Sequence, residues 1–314
     1  MSSLRFRSLP ILLLLSGLFA AAPTVHAAES LAVKNAPLLW RVEGNGIDRD
    51  AAPYLFGTIH IPDPRVTQLH PAVEAAFKAS TLVLTELKLD LALQAAAAQA
   101  SLLPAPQSLS AQLTPALRVQ LETELKAINS QLRPVMFDRL KPWALATQLA
   151  LLPIQLKNPG VPALDFQLAQ RAEAEGKTNE GLEQLEEQLI IFDRLSQTEQ
   201  LALLKEALDA LAKARKTGDD MVEQLTTAYL RGDEADVQQL LEAFEGDNKA
   251  LNDKLSKALL DDRNQVMTKR LLQRIKTQPK TRLFVAVGAA HLIGDKSIVA
   301  LLRQQGYTVT RIER

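Results

Sequence analysis

The two ends of this 314-residue chain repeat one alternation, in which short apolar runs of strand length flank a helical segment. Near the start, Leu38–Val42 and Tyr54–His60 have the length and apolar content of strands, and Thr81–Leu87 is a third such run. Before this third run, His70 and Pro71 are suited to open a helix, because proline fits the first helical turn. A strand–helix–strand unit of this kind builds parallel sheets.

The same alternation returns at the carboxyl end of the chain. Thr281–Gly288 is predicted to be a buried strand, and a helix is predicted from about Lys296 to Gln304. Tyr307–Ile312 then alternates polar and apolar residues, as a half-buried strand does. The sequence therefore predicts an α/β fold with a mixed, largely parallel central sheet formed by both chain ends.

The segment between the two ends, at about residues 91–277, has helical periodicity instead. Thr114 precedes a proline and is a typical helix N-cap, and Ser196 with Glu199 forms the pattern of a capping box. We therefore expect a single α/β domain over residues 28–314 with a large helical insertion. Further helices are predicted at residues 219–231, 233–244 and 251–276.

Residues 1–27 have the pattern of a secretory signal peptide. Arg5 and Arg7 precede an apolar core, Pro10–Ala22, and Val25–Ala27 gives the small-residue pattern of a cleavage site. The core is too short for an ordinary spanning helix, which favours a signal peptide. An uncleaved membrane anchor is the alternative interpretation. We expect a periplasmic or secreted protein without a stable membrane anchor. The chain has no cysteine, which excludes a disulfide framework and a lipoprotein anchor.

Charge and composition exclude several classes of function. The chain carries 36 basic and 36 acidic residues, so it has no basic excess for nucleic acid binding. A hydrophobic fraction of 47% is sufficient for a folded core. The sequence also lacks a glycine-rich phosphate loop, a Gly-x-Ser-x-Gly nucleophile elbow and a cysteine nucleophile.

Two short stretches, FGTIH and VGAAH, share the pattern Gly-x-x-His at the end of an apolar run. The first contains Gly57 and His60, the second contains Gly288 and His291, and the whole chain has only four histidines. Glycine permits a positive φ angle or the close approach of another group. Each strand is therefore predicted to end near its glycine, which places both histidines at the carboxyl edge of the sheet, where α/β proteins bind ligands.

Glu86 ends a third predicted strand at the same edge. Two imidazoles and one carboxylate are a common ligand set for a catalytic divalent metal. The alternative is structural, with the histidines satisfied inside the protein and Glu86 paired with Lys88. We expect His70 to lie at a helix start rather than in the site, and packing roles for Trp40 and Trp143.

Beyond these motifs, the chain resembles the TraB/GumN family, whose animal relatives include the TIKI metalloproteases. The resemblance covers nearly the whole chain after the leader and is strongest in its last part. It rests on LLWRVEG with PYLFGTIHIPDP, on LVLTELKLD, on GKTNEGLEQLEEQL, and on DDRNQVM with LFVAVGAAHLIGDKSIVALLRQQGYTVTRI.

The resemblance implies that the paired Gly-x-x-His motifs and the glutamate are active-site elements. It also adds Arg263 and Asn264, which match an Arg-Asn pair of the family, and Asp165, which matches a family aspartate. The family usually has glycine two residues before this aspartate, whereas this chain has Ala163. The position of Asp165 is therefore left open by the resemblance. Apart from the resemblance, Arg263 could pair with a nearby carboxylate, and Asp165 could cap a helix.

Together these features predict a metal-dependent hydrolase, peptidase-like, acting on peptide or protein substrates. His60 and His291 would hold a divalent metal such as Mn, Co or Zn, and Glu86 would be a third ligand or the general base. Arg263 would stabilise the developing oxyanion, with Asn264 orienting it or the substrate. Two alternatives remain open, a haem- or ligand-binding protein and a non-catalytic accessory of envelope polysaccharide export.

Overall fold

The computed structural model describes residues 36–243 and 248–313. The predicted signal peptide, residues 1–27, lies outside the described residues. Within the described ranges, no helix is both long enough and apolar enough to cross a bilayer.

A six-stranded sheet in the order β4-β3-β5-β2-β1-β6 forms the centre of the fold. Strands β2, β3, β4 and β5 are mutually parallel, and β1 is antiparallel to both of its neighbours, β2 and β6. The prediction of a mixed, largely parallel sheet is therefore confirmed, since only β1 runs against the others. The strands are β1 Leu39–Glu43, β2 Tyr54–Thr58, β3 Leu82–Thr85, β4 Thr178–Gly181, β5 Leu283–Gly288 and β6 Thr308–Arg311.

Fourteen α-helices are described around this sheet, most of them between β3 and β5. A π-helical turn, Lys257–Asp261, separates α12 from α13, and Ala289–His291 forms a 3₁₀ turn after β5. The helices are α1 Pro64–Thr67, α2 Pro71–Ala79, α3 Leu91–Ala100, α4 Leu109–Gln112, α5 Pro115–Ile128, α6 Pro142–Lys157, α7 Leu164–Ala174, α8 Leu185–Asp193, α9 Gln197–Thr217, α10 Met221–Arg231, α11 Glu234–Ala243, α12 Lys249–Ser256, α13 Asp262–Thr277 and α14 Ile298–Gln304.

Helices cover both faces of the sheet, which explains why its central strands are apolar throughout. On one face, α2 and α7 pack on the sheet, and the ring of Phe77 meets the ring of Phe284 edge-on at 5.4 Å between centroids. On the other face, Trp40 and Leu55 join a larger core that extends into the helical insertion. This double covering buries all six residues of β5.

One strand of the sheet comes from the helical middle, and the sequence pattern missed it. Strand β4 (TNEG) is polar and pairs with β3 along one side only. An edge strand has no need of the continuous apolar run that marks a buried strand. Because of β4, the sheet is not formed by the chain ends alone.

The predicted helix signals are confirmed where the structure describes them. The hydroxyl of Thr114 accepts a hydrogen bond from the backbone N–H of Leu117, and Ser196 and Glu199 form a complete capping box. The prediction of a single helix over residues 251–276 is wrong in one respect. The π-helical turn at Lys257–Asp261 divides this segment into α12 and α13. The predicted helix at 233–244 is described as Glu234–Ala243, with its last residue outside the described part.

Replacing Phe77 with alanine should lower the free energy of unfolding by about 3–5 kcal/mol, because the ring is fully buried against the sheet. Urea denaturation followed by circular dichroism measures the loss. Val119→Ala is the control, since Val119 is 65% exposed, and it should change stability by less than about 0.5 kcal/mol. Equal losses in the two variants would contradict this packing of α2.

Candidate metal centre

Three neighbouring parallel strands bring His60, Glu86 and His291 to one edge of the sheet. Strand β5 lies between β3 and β2, and each of the three side chains follows the carboxyl end of its strand. The Oε1 atom of Glu86 lies 3.7 Å from Nε2 of His60 and 3.6 Å from Nε2 of His291. Residues more than 200 positions apart therefore share one small space.

Gly288 provides that space. Its backbone N–H donates a 2.7 Å hydrogen bond to Oε1 of Glu86. A Cβ atom at Gly288 would lie 3.2 Å from Oε1 of Glu86 and 3.4 Å from Nε2 of His60. A side chain there would thus occupy the volume between the candidate ligands.

The second motif glycine, Gly57, serves packing instead. A Cβ atom at Gly57 would lie 3.1 Å from both Leu38 Cβ and Ala289 Cα. Neither motif glycine has a positive φ angle, so both allow close approach rather than a left-handed turn.

Asn264 orients the ring of His291. Its Oδ1 lies 2.7 Å from Nδ1 of His291, and its Nδ2 donates to the carbonyl of Lys296 at 3.0 Å. Because this amide nitrogen is the donor to Lys296, the oxygen accepts from Nδ1–H and leaves a lone pair on Nε2 of His291. Burial, together with the charge of Arg263, lowers the pKa of His291 to about 3, so the ring stays neutral.

The carboxylate of Asp165 lies beside the ring of His60. Its Nδ1 lies 3.0 Å from Oδ1 of Asp165, and both residues are buried. Burial alone would lower the pKa of His60, but the charges of Asp165 and Glu86 outweigh it and raise this pKa to about 10. Ala163 has φ −62° and ψ 152°, an ordinary extended conformation, so the missing family glycine does not displace Asp165.

Glu86 is held by donors on both oxygens. Its Oε2 accepts from Nη2 of Arg263 at 2.6 Å and from Nε2 of Gln188 at 3.4 Å. Burial would raise the pKa of Glu86, but the charge of Arg263, together with His60, keeps it well below its usual value. Glu86 therefore remains a carboxylate, which suits a ligand better than a proton acceptor.

Arg263 is turned toward protein groups rather than toward a substrate. Its Nη2 also donates to Oε2 of Glu183 at 2.6 Å, and its Nη1 donates to the carbonyl of Leu259 at 3.1 Å. The guanidinium is only 4% exposed. In this arrangement Arg263 binds Glu86 and favours its ionised form, and the role of Arg263 in oxyanion stabilisation stays a prediction. Likewise, Asn264 orients His291, and its expected action on a substrate stays a prediction.

Two imidazoles and a carboxylate are the types of donor that bind divalent transition-metal cations. Nε2 of His60 and Nε2 of His291 are buried without a hydrogen-bond partner, and both are directed at one carboxylate oxygen. Ligand atoms of a tetrahedral site with bonds of about 2.1 Å lie ~3.4 Å apart, a few tenths of an ångström closer than here. In this arrangement, however, no group of three or more His, Cys, Asp or Glu side chains among the described residues could hold a metal ion.

The sequence interpretation missed three residues that complete the surroundings of the site. Glu183 and Gln188 are buried and bond to each other at 3.1 Å, and both lie in GKTNEGLEQLEEQL, which was noted only as a family segment. The hydroxyl of Tyr229 donates to the carbonyl of Gly57 at 2.8 Å. Burial and the charge of Asp165 raise the pKa of Tyr229 above its usual value, so it stays a donor.

The remaining residues singled out in the sequence lie outside the site. His70 caps α2, where its Nδ1 accepts from the backbone N–H of Ala72 at 3.2 Å. Trp40 is fully buried, and Trp143 stacks on Phe192 at 5.1 Å between ring centroids. Both tryptophans therefore pack in the core, as expected.

The sequence profile of the TraB/PrgY/gumN family matches residues 38–311, from the first strand to the last. The chain belongs to the TraB/PrgY/gumN family. The matched range contains both Gly-x-x-His motifs and every residue of the candidate metal centre, and it confirms the resemblance inferred from the motifs.

Curated relatives are metalloproteases by name. The chain is 29% identical to metalloprotease TIKI1 of Danio rerio, covering 84% of this chain and 61% of the relative. It is 25% identical to a metalloprotease TIKI homolog of Amphimedon queenslandica, covering 96% of this chain and 66% of the relative. The chain thus spans less than two thirds of the length of these relatives. No solved structure is a significant match to the chain.

Gly288→Ala should abolish stoichiometric retention of a divalent cation, because its Cβ would enter the space between Glu86 and His60. Elemental analysis after dialysis measures the retained metal. Gly57→Ala is the matched comparison within the other motif. Its Cβ meets Leu38 and Ala289, so this variant should lose stability but keep its metal. Metal retention by Gly288→Ala would show that the cation lies elsewhere.

Asn264→Ala should weaken cation binding ~10- to 100-fold, the usual effect of removing a hydrogen-bond partner of a ligating histidine. The physical reason is that Nδ1 of His291 loses its acceptor and the ring its orientation. Competition with a chromogenic chelator measures the affinity. Asn129→Ala, at an exposed helix end, is the control. Unchanged affinity in Asn264→Ala would remove Asn264 from the site.

Proposed function

We propose that this protein is a metal-dependent hydrolase that cleaves peptide bonds in the periplasm or outside the cell. The observation that carries the proposal is the convergence of two buried, unpartnered imidazole nitrogens on one carboxylate oxygen. The printed names of the curated relatives support the same class of activity. The pattern of a signal peptide in residues 1–27 supports the location.

His60, His291 and Glu86 would be the ligands in this proposal. A divalent cation bound there would supply Lewis acidity and activate water for attack on a carbonyl. Two imidazoles with one carboxylate leave coordination positions open, as catalytic sites require. The nitrogen ligands favour a cation such as Zn, Co or Mn over Mg or Ca, which prefer oxygen ligands.

The surrounding residues set the protonation states of the three ligands. Asn264 bonds to Nδ1 of His291, which leaves Nε2 of this neutral ring available, and the carboxylate of Asp165 lies 3.0 Å from the opposite nitrogen of His60. Arg263 favours the ionised form of Glu86. Neutral imidazoles and an ionised carboxylate are the forms that bind metals. His291 and Glu86 already have these forms, whereas His60, whose pKa is raised to about 10, would release a proton when a cation binds.

Ligation is also the role of Glu86 that the contacts support, rather than general base catalysis. A general base at neutral pH needs a pKa near the operating pH, whereas the pKa of Glu86 is held well below the usual range of a carboxyl group. Both of its oxygens already accept hydrogen bonds from Gly288, Arg263 and Gln188.

The names of the relatives and the balanced charge of the chain support a peptide or protein substrate. Metalloproteases act on peptide bonds, and a balanced charge gives no attraction for nucleic acid. The haem-binding and accessory-protein interpretations remain alternatives, and no contact of the described residues favours either of them.

The double variant His60→Ala with His291→Ala should lose both bound metal and peptide hydrolysis, since it removes both nitrogen ligands. Elemental analysis gives the metal content, and a quenched-fluorescence peptide library gives the turnover. His70→Ala is the control, because His70 only caps α2; it should cost about 1 kcal/mol of stability and keep metal and turnover. Retention of stoichiometric metal by the double variant would contradict the proposal.

A further inference from the structure

A cavity of about 370 Å³ lies in the helical insertion, between α5, α6, α9 and the start of α10. Its volume falls within the range of about 300–1,000 Å³ that is usual for ligand pockets. No residue of the candidate metal centre lines it. Its apolar wall is built from Ala150, Ile154, Leu211, Ala214, Met221 and Val222.

Helix α10 connects this cavity with the metal centre. Val222, in its first turn, lines the cavity, and Tyr229 donates its hydroxyl hydrogen bond to Gly57 of the first histidine motif. Seven helical residues span about 10 Å. The backbone rise along α10 from Val222, at the cavity, to Tyr229 is therefore about 10 Å.

The loop that follows His60 also touches the wall of the cavity. Arg65 binds both Asp63 in this loop and Glu223 on the cavity rim, at 2.6 and 2.7 Å. The amide of Asn158, which follows the lining residue Lys157, donates to the carbonyl of Pro62 at 3.0 Å. The wall of the cavity and the loop after His60 are therefore joined by direct polar contacts.

The charges at the rim favour a neutral apolar occupant. Several of them are already neutralised by an opposite charge within the protein, so no cluster of one sign selects an anionic or cationic head group. These pairs are Arg215 with Glu124, Lys213 with Asp219, and Glu223 with Arg65.

We propose that this cavity is a specificity pocket that binds an apolar side chain of the peptide substrate. The inference rests on the proposed function for the identity of the substrate. An apolar side chain buried against this wall gains roughly 1.5–3 kcal/mol, which corresponds to ~10-fold or more in affinity.

The test measures peptide binding in EDTA, where no metal-dependent cleavage occurs. Two fluorescein-labelled octapeptides of glycine and serine serve as probes, one carrying a central Leu-Phe pair and the other carrying serines there. Fluorescence anisotropy should show ~10-fold or more tighter binding of the Leu-Phe peptide to the purified protein.

Ala214→Trp and Ala127→Trp place a large ring in the cavity from two different walls. Both variants should abolish the preference for the Leu-Phe peptide. Ala96→Trp is the matched control, because it adds the same ring on the exposed surface of α3, away from the cavity, and it should keep the preference. Circular dichroism and metal content confirm that each variant is folded.

Equal binding of both peptides to the unmodified protein would overturn the specificity pocket. So would a preference that survives both cavity-filling variants. Adding Zn, Co or Mn to the same samples separates this inference from the proposed function. A preference without cleavage would keep the pocket and refute the hydrolase, whereas cleavage without a preference would do the reverse.

Discussion

The carboxylate of Glu86 is the contact on which the whole arrangement depends. One oxygen accepts from the backbone of Gly288 and faces both imidazoles, and the other is held by Arg263. Three adjacent parallel strands are therefore joined at their carboxyl ends through one side chain. Burying such a group is costly unless it is paired and hydrogen-bonded, and the guanidinium and the backbone N–H provide this compensation.

The fold explains why residues so distant in sequence can share that carboxylate. Strand β5 enters the sheet between β3 and β2, so the last part of the chain separates two strands from the first part. The motif glycines then let the chain segments approach closely, Gly57 against Ala289 and Gly288 against Glu86. The helical insertion contributes the outer contacts, with Arg263 coming just after the π-helical turn. Such turns occur frequently at functional sites.

Much of this could be predicted from the sequence, because apolar periodicity and helix capping are local signals. The strand ends, the two histidines and Glu86 were found in this way, and the family resemblance added Asp165, Arg263 and Asn264. Strand β4 could not be found, since a polar edge strand has no apolar run. The orientation of the Arg263 side chain toward Glu183 could not be predicted either. This salt bridge joins residues 80 positions apart and leaves no local pattern in the sequence.

The most direct test of the account is a crystal structure of the metal-loaded protein with anomalous scattering measured at the absorption edge of the metal. The account predicts one strong anomalous peak beside Gly288, bonded at about 2.0–2.2 Å to Nε2 of His60, Nε2 of His291 and Oε1 of Glu86. A peak bonded to other side chains, with no metal between Glu86 and the two imidazoles, would contradict the central claim.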